Sequence, residues 1–257
     1  MAELESYAEK YQSIRMERTD GVLQLTFHTD GGPLRWNRAP HREWAEAFHD
    51  VGADPENQVV IITGTGDEFS GPEGTIESHQ TLGQTPGDWD PIMSEALRFT
   101  TNLLSIEVPM ISVINGPALR HSEVALLCDM VLAADDAVFQ DSGHFHSSLV
   151  PGDGMHVVYP LLMGMNRGRY FLFTGQRLSA KEALDFGLVN EVLPRAKLLP
   201  RAWELAKRLL EQPPMVRRYT RLLLTHHIKK QMLDLLGYGL ALEGLAVAEQ
   251  WSKNRPR

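Results

Sequence analysis

Three short apolar runs constrain the fold of this chain more than any other feature of its sequence. Residues 59–63 (VVIIT), 110–114 (MISVI) and 130–133 (MVLA) are almost continuously apolar. A strand that is buried on both faces has this character, whereas a half-exposed strand alternates apolar and polar residues. Patterns with helical spacing, such as residues 42–51 and 91–106, separate the runs. The alternation predicts an α/β fold with crossover helices.

Further patterns complete this outline of the chain. Alternating residues on both sides of Asp20-Gly21 predict a β-hairpin over residues 14–28. A segment rich in Gly, Ser, Thr and Pro, residues 64–87, predicts a loop. Helical patterns occupy most of the last 100 or so residues. The helices are expected at residues 154–163, 167–174, 180–186, 199–210, 215–226 and 228–251, with a short strand at 189–193.

The charge of the chain excludes some partners. The formal net charge is −8 and the isoelectric point is near 5.7. A nucleic-acid surface needs a basic patch, so we expect no nucleic-acid partner, and an anionic membrane is an equally poor match. No apolar run approaches the roughly 20 residues that a membrane-spanning helix needs.

A single cysteine indicates the compartment. Cys128 cannot form an internal disulfide and lies in an apolar run, which is typical of a buried thiol in a reducing environment. The first residues are acidic and polar and do not have the pattern of a secretory signal. We therefore expect a cytoplasmic protein.

Residues 115–156 are the best candidate for a functional segment. Four of the ten histidines fall in it, at His121, His144, His146 and His156. The segment passes from an apolar run through a short helical pattern into a second apolar run, and it ends at the turn PGDG. Reactive side chains on loops above buried strands are a common arrangement in active sites.

Four stretches together resemble the crotonase, or enoyl-CoA hydratase/isomerase, superfamily. They are VVIITGTGDEFS, SIEVPMISVINGPALRHSEVALLCDMVLAADDAVF, LVPGDG and NRGRYFLFTGQRLSAKEALDFGLVNEVLP. The resemblance covers nearly the whole chain. It implies a core of ββα spiral turns in residues 1–200, and a helical region in residues 201–257 that serves oligomerisation. Homotrimers, or hexamers made of two trimers, are the expected assembly.

The sequence departs from this family at the first of two glutamates that hydratases use as acid and base. The family has a glycine-rich turn before it, and this chain has Arg-His-Ser at residues 120–122. If the turn is one residue short, Glu123 takes the place of the glutamate, and without a gap Val124 does. Glu123 also suits a charge in the first turn of a helix, so it is not included in the predicted site.

The second glutamate is replaced as well. His144 takes its place a few residues before the PG turn, and Asp153-Gly154 replaces the alanine-glycine that usually follows that turn. A hydratase would therefore lack its ordinary acid–base pair.

These departures resemble one branch of the superfamily, 6-oxocamphor hydrolase and related β-diketone hydrolases. That branch cleaves a carbon–carbon bond by a retro-Claisen reaction, without coenzyme A. The resemblance implies no cofactor, no metal ion, and a small, cyclic, apolar β-diketone as substrate. By position it implies a water-activating pair of His144 and Asp153, and an oxyanion or enolate contact by His121. It also implies a carbonyl contact by Trp36 and a polar pocket position for Glu243.

The chemistry of these residue types fits such a reaction. A histidine with an ordinary pKa near ~6.5 can remove and return a proton near neutral pH. A carboxylate on its other ring nitrogen fixes the tautomer and stabilises the imidazolium. Each residue also has a structural alternative. These are a surface loop position for His144, a helix N-cap for Asp153, a turn position for His121, a core position for Trp36 and an ion pair for Glu243.

Three other functions remain open from the sequence. The first is an acyl-CoA hydratase, isomerase or hydrolase that uses Asp153 or Glu123. The second is a non-catalytic binding protein with a crotonase fold. The third is metal-dependent diketone cleavage, with His144, His146 and Asp153 as ligands.

Overall fold

A six-stranded sheet forms the centre of the fold. The computed structural model describes residues 3–71, 83 and 85–253. The strand order is β1-β2-β3-β4-β5-β8, in which β1 and β2 pair antiparallel and the other neighbours pair parallel. A small antiparallel pair, β6 and β7, lies outside this sheet. The strands are β1 (Ile14–Thr19), β2 (Val22–Phe27), β3 (Val59–Gly64), β4 (Met110–Ile114), β5 (Met130–Ala134), β6 (Val138–Phe139), β7 (Leu178–Ser179) and β8 (Glu191–Leu193).

The apolar runs and the hairpin pattern that predicted the sheet correspond to strands in the structure. All residues of β3 and β4 are buried, because helices or loops cover both faces of these strands. The hairpin closes with a two-residue turn in which Asp20 has a φ of 50° and Gly21 a φ of 80°. Positive φ at both central residues matches the twist of the paired strands. The predicted α/β fold is confirmed.

Nine α-helices, and a short 3-10 helix at Phe145–Ser147, occur in the described part of the chain. The α-helices are α1 (Leu4–Tyr7), α2 (Arg38–Ala53), α3 (Pro86–Ser105), α4 (Glu123–Leu126), α5 (Met155–Met163), α6 (Met165–Thr174), α7 (Ala180–Asp185), α8 (Arg195–Leu210) and α9 (Pro214–Lys253). Helix α8 packs on β3, β4 and β5, while α2 packs against α3 and α3 against α9. None of the described helices has both the length and the apolar character that a membrane span requires.

An aromatic cluster joins α2 and α3 to the sheet. Trp44 and Phe48 of α2 contact Phe99 of α3, and Trp44 stacks on Phe27 of β2 with ring centroids 3.8 Å apart. Aromatic pairs of this kind add to the stabilisation from burial by roughly 0.5–1.5 kcal/mol each. The cluster also contacts Trp36, a residue of the site described below.

Several predicted helix boundaries are wrong: α2 begins at Arg38 and α8 at Arg195, each earlier than expected, and the largest differences concern α3 and α9. The helix expected over residues 91–106 begins at Pro86, because Thr85 and Asp88 form a capping box and Pro86 occupies the first turn. The helices expected at residues 215–226 and 228–251 are one continuous helix, α9, since no glycine or proline interrupts the segment between them. Of the predicted loop at 64–87, residues 72–82 and 84 lie outside the described residues.

Two further predictions concern the single cysteine and the division of the chain into two regions. Cys128 is buried and free, as expected for a structural thiol. The division into residues 1–200 and 201–257 stays a prediction, and α8 runs across it.

Candidate active site

A cavity of about 120 Å³ lies between α2, α3, α9 and three loops. Most of its accessible surface is apolar. All five side chains predicted to form the site line it: Trp36, His121, His144, Asp153 and Glu243. The other lining residues are Asn37, Arg38, His41, Trp89, Ile92, Glu95, Ala96, Arg120, Asp141, Gly143, Leu149 and Leu240.

His121 stands at the turn between β4 and α4 in a strained conformation. Its φ is 46°, in the left-handed region that glycine adopts most easily. This is the turn at which the family resemblance implies glycines. A non-glycine residue in this conformation costs of order 1–3 kcal/mol and persists only where its surroundings impose it.

His144 lies between two carboxylates. Its Nδ1 atom is 2.7 Å from Oδ1 of Asp141, and its Nε2 atom is 3.2 Å from Oδ2 of Asp153. All three side chains are buried. Burial lowers the pKa of His144, but the charges of Asp141 and Asp153 outweigh it and raise the pKa well above the ordinary value. The arrangement therefore stabilises an imidazolium at neutral pH.

The carboxyl group of Asp153 contacts two histidines. Its Oδ2 atom lies 3.3 Å from Nδ1 of His121, in addition to the contact with His144. Burial alone raises the pKa of a carboxyl group, yet the charge of His144 and its hydrogen bond hold the pKa of Asp153 below its ordinary value. Asp153 does not cap α5, whose N-cap is Gly154 with a φ of 119°. The N-cap alternative for Asp153 is therefore wrong.

Glu123 is a site residue that the sequence analysis left out. It is the first residue of α4, as expected for a helix charge, but it is fully buried. Its Oε1 atom lies 2.9 Å from Nδ1 of His121. Burial, and then the charge of Asp153, raise the pKa of Glu123 well above its ordinary value.

Two aromatic rings pack against the ring of His121. The centroid of the His121 ring lies 4.1 Å from that of Trp36 and 4.6 Å from that of His41. Trp36 in turn contacts Trp44 of the aromatic cluster. Burial lowers the pKa of His121 to about 4 and that of His41 to about 3, so both rings are neutral at pH 7.

Glu243 reaches the cavity from α9. It is buried, and the ion pairs formed by the described residues do not include it. Its carboxyl group lies beside Gly152, and burial raises its pKa to about 8. The ion-pair alternative is therefore not supported, and Glu243 carries a proton at neutral pH.

The metal site considered from the sequence does not form. His146 is exposed and its ring packs beside Gly175, and among the described residues it does not belong to a cluster that could hold a metal ion. A different set of atoms, from His121, Glu123 and Asp153, lies within 4.8 Å of one another and is compact enough for an ion. The expectation that no metal is used stays a prediction.

Three residues of the site were missed in the sequence analysis: Asp141, Glu123 and His41. Asp141 lies three residues before His144 and had a visible signal, because it is an acid in the same loop. His41 is in the first part of α2, far from the other site residues in sequence, and nothing in its local pattern singles it out.

Comparisons with known proteins agree with this fold. A family model described as enoyl-CoA hydratase/isomerase matches residues 17–240. Carnitinyl-CoA dehydratase of Shigella flexneri is 31% identical over 206 residues, which cover 79% of this chain and 77% of that protein. Peroxisomal enoyl-CoA delta isomerase 3 of Mus musculus is 27% identical over 229 residues, covering 88% and 71% of the two chains.

A solved structure is more similar. It is a β-diketone hydrolase from the cyanobacterium Anabaena sp. PCC 7120, bound to (S)-3-oxocyclohexyl acetic acid. It is 43% identical to this chain, covers 95% of this chain and 97% of its own, and superposes with a TM-score of 0.91. By its fold and by the extent of the match over residues 17–240, the chain belongs to the enoyl-CoA hydratase/isomerase, or crotonase, family.

Proposed function

We propose that this protein hydrolyses a carbon–carbon bond of a small cyclic β-diketone by a retro-Claisen reaction. The observation that carries the proposal is the placement of His144 between Asp141 and Asp153 on the wall of a mostly apolar cavity. The similarity to a solved β-diketone hydrolase, at 43% identity, supports it. The reaction needs no cofactor, because the second carbonyl group of the substrate accepts the electrons of the broken bond.

The His144–Asp153 pair activates water in this proposal. The Oδ1 atom of Asp153 is buried and has no hydrogen-bond partner within the described part of the chain, so it can accept a hydrogen bond from the attacking water. The water oxygen attacks one carbonyl carbon, while the positive charge of His144 stabilises the oxyanion that forms. The carbon–carbon bond then breaks, its electron pair forms an enolate, and the proton held by the pair passes to the enolate carbon. The product is a keto acid.

His121 and Trp36 hold the carbonyl oxygens. Both line the cavity, and Nε1 of Trp36 is buried without a hydrogen-bond partner among the described residues. A buried N–H group in that state is costly unless a ligand accepts from it. Glu243, with its raised pKa, adds a neutral polar group to the lining of the cavity.

A second candidate function is acyl-CoA chemistry, because two relatives with about 30% identity are named for acyl-CoA dehydration and isomerisation. The residues of this site favour diketone cleavage. His144 stands where the second hydratase glutamate is expected, and Glu123 is buried behind His121 instead of lining the cavity.

A single assay separates the two functions. Purified protein is incubated with a bicyclic 1,3-diketone and, in parallel, with crotonyl-CoA, and the keto acid and the hydrated thioester are quantified by mass spectrometry. We expect turnover of the diketone only. Turnover of the thioester alone would reject the proposal.

Variants then test the assigned roles. We expect His144→Ala and Asp153→Asn each to lower kcat/KM for the diketone by about 10²–10⁴-fold. His227→Ala and Asp234→Asn are matched controls, since both residues are exposed on α9. Full activity in both site variants would overturn the assignment of the pair.

The assembly and location are also proposals. Helix α9, which makes up most of the described part of residues 201–257, presents exposed apolar side chains that include Leu223, Tyr238 and Leu245. We propose that this region mediates a homotrimer, or a hexamer of two trimers, in the cytoplasm. Size-exclusion chromatography with light scattering measures the mass, and a monomer would reject this proposal.

A further inference from the structure

Glu123 lies behind the wall of the cavity. Asp141, Asp153 and Glu243 line the cavity, whereas Glu123 does not. Its side chain is completely buried. Oε1 contacts Nδ1 of His121 at 2.9 Å, and Oε2 has no hydrogen-bond partner in the described ranges of the chain. Any effect of Glu123 on the substrate must therefore be transmitted through His121.

The surroundings decide whether the carboxyl group of Glu123 is ionised. Burial raises its pKa most, and the charge of Asp153 adds to this, against smaller opposing effects of its own backbone N–H and of His144. The cation of the site, His144, is already shared between Asp141 and Asp153. A third ionised carboxylate at this depth would lack a counter-charge, so Glu123 holds its proton at neutral pH.

The proton of Glu123 needs an acceptor. His121 is neutral, so one of its ring nitrogens carries a hydrogen and the other a lone pair. If Nδ1 carried the hydrogen, the carboxyl proton would be buried without an acceptor among the described groups. If Nε2 carries it, the lone pair of Nδ1 accepts the proton of Glu123 and both groups are satisfied.

We propose that Glu123 is a positioning residue that donates a hydrogen bond from its neutral carboxyl group to Nδ1 of His121 and so fixes the tautomer protonated at Nε2. Both contacts given for the His121 ring nitrogens within the described residues, those of Glu123 and Asp153, are at Nδ1. The Nε2–H group is thus left as a donor on the opposite edge of a ring that lines the cavity.

The consequence for the reaction rests on the proposed function. An Nε2–H group stabilises the oxyanion or enolate oxygen of a diketone, whereas a lone pair at Nε2 would repel it. Glu123 then acts through His121 and does not touch the substrate. The glutamate of a hydratase acid–base pair would have become an orienting group.

A metal ion is the competing interpretation of the same three side chains, since their ligand atoms lie within 4.8 Å of one another. A hydrogen bond from Glu123 accounts for the separation of 2.9 Å at Nδ1 without an ion, while Oδ2 of Asp153, 3.3 Å from Nδ1, accepts from the His144 imidazolium instead. Nδ1 carries no hydrogen in either interpretation, so the two differ in the protonation of Glu123, which a metal ligand would lose, and in the effect of a chelator.

The tautomer can be measured without any substrate. Full-length protein labelled with ¹⁵N at histidine is studied by long-range ¹H–¹⁵N NMR at pH 7, and the His121 signals are identified by their loss in His121→Gln. We expect a neutral ring protonated at Nε2. A ring protonated at Nδ1, or at both nitrogens, overturns the proposal. Because this readout is independent of turnover, its failure and the failure of the proposed function are distinguishable.

Two variants and a chelator test the consequence for catalysis. Glu123→Ala removes the donor, and we expect the Nδ1–H tautomer and a fall in kcat of about 10²-fold with little change in KM. Glu123→Gln keeps an N–H donor and is expected to restore the Nε2–H signal and most of the lost kcat. If Glu123→Gln fails to restore either, or if EDTA abolishes activity and Zn²⁺ restores it, the proposal is rejected.

Discussion

Gly152 and Gly239 pack backbone against backbone. A Cβ atom built on Gly152 would lie 2.3 Å from the carbonyl oxygen of Gly239, and one built on Gly239 would lie 2.5 Å from the carbonyl oxygen of Gly152. Gly152 belongs to the turn that carries Asp153, and Gly239 belongs to α9, which carries Glu243. The contact therefore sets the distance between two walls of the cavity.

We expect Gly239→Ala to damage both stability and activity. The new methyl group meets backbone that cannot move aside easily, and it would also lie 2.3 Å from Cε1 of His156. Overpacking of this kind costs typically about 1–3 kcal/mol. Urea denaturation measures the loss, and kcat/KM for the diketone falls because Asp153 is displaced.

The matched control is Gly237→Ala, two residues earlier in the same helix. A Cβ atom there meets nothing within 4 Å. Alanine is the better helix former by about 0.5–1 kcal/mol, so this variant is expected to be at least as stable as the wild type. Equal losses in the two variants would contradict the importance of the contact at Gly152.

Asp141→Asn is expected to lower kcat/KM by about 10²–10⁴-fold while the fold is retained. The change removes one of the two charges that raise the pKa of His144, and the amide no longer requires Nδ1 to be protonated. The pH–rate profile should therefore shift to lower pH on the limb that reports His144. Steady-state kinetics from pH 5 to 9 provide the measurement, with the exposed Asp234→Asn as control. A profile superimposable on that of the wild type would remove Asp141 from the site.

Glu243→Gln should stabilise the protein more at high pH than at low pH. The folded state raises the pKa of Glu243 from 4.5 to about 8, mainly through burial. The folded protein thus holds a proton that the unfolded chain releases near 4.5, and wild-type stability falls as the pH rises between these values. The variant lacks this titration, so its advantage in unfolding free energy grows by up to about 1.4 kcal/mol per pH unit.

Chemical denaturation at pH 5 and pH 8 tests this expectation, with Glu9→Gln as the control at an exposed residue. The same difference between variant and wild type at both pH values would show that Glu243 is ionised in the folded state.

The sheet and most of the helices were predictable because local pattern and tertiary environment agree in them. The runs that form β3 and β4 are apolar throughout, and every residue in those strands is buried. The start of α3 was misplaced because Asp90 is an acceptable cap in isolation. Only the pairing of Thr85 with Asp88 shows that the helix begins earlier.

The site could be predicted only in part, because its residues are distant from one another in the sequence. His144 and Asp153 could be identified because they replace the residues that the family has at these positions. Their spacing in the sequence alone did not indicate a site. Whether Glu123 is a surface charge or a buried acid depends on the packing of α4 against α5, which no local pattern reveals. Likewise, the strain at His121 becomes visible only in its φ of 46°.

Trp36→Phe separates the two contributions of this side chain. Phenylalanine preserves an aromatic surface against His121 and Trp44 but lacks the indole N–H, which is buried without a partner in the part of the chain that the structure describes. Removing an unsatisfied buried donor carries little cost in stability. If the N–H binds a substrate carbonyl, kcat/KM falls by about 10-fold, which corresponds to the net value of one hydrogen bond near 1.4 kcal/mol. The control is Trp203→Phe, which removes an indole that donates to Gln24 at 3.2 Å, away from the cavity, and should leave kcat/KM unchanged. Should Trp36→Phe keep full activity, Trp36 is a packing residue and the carbonyl group is held by another donor.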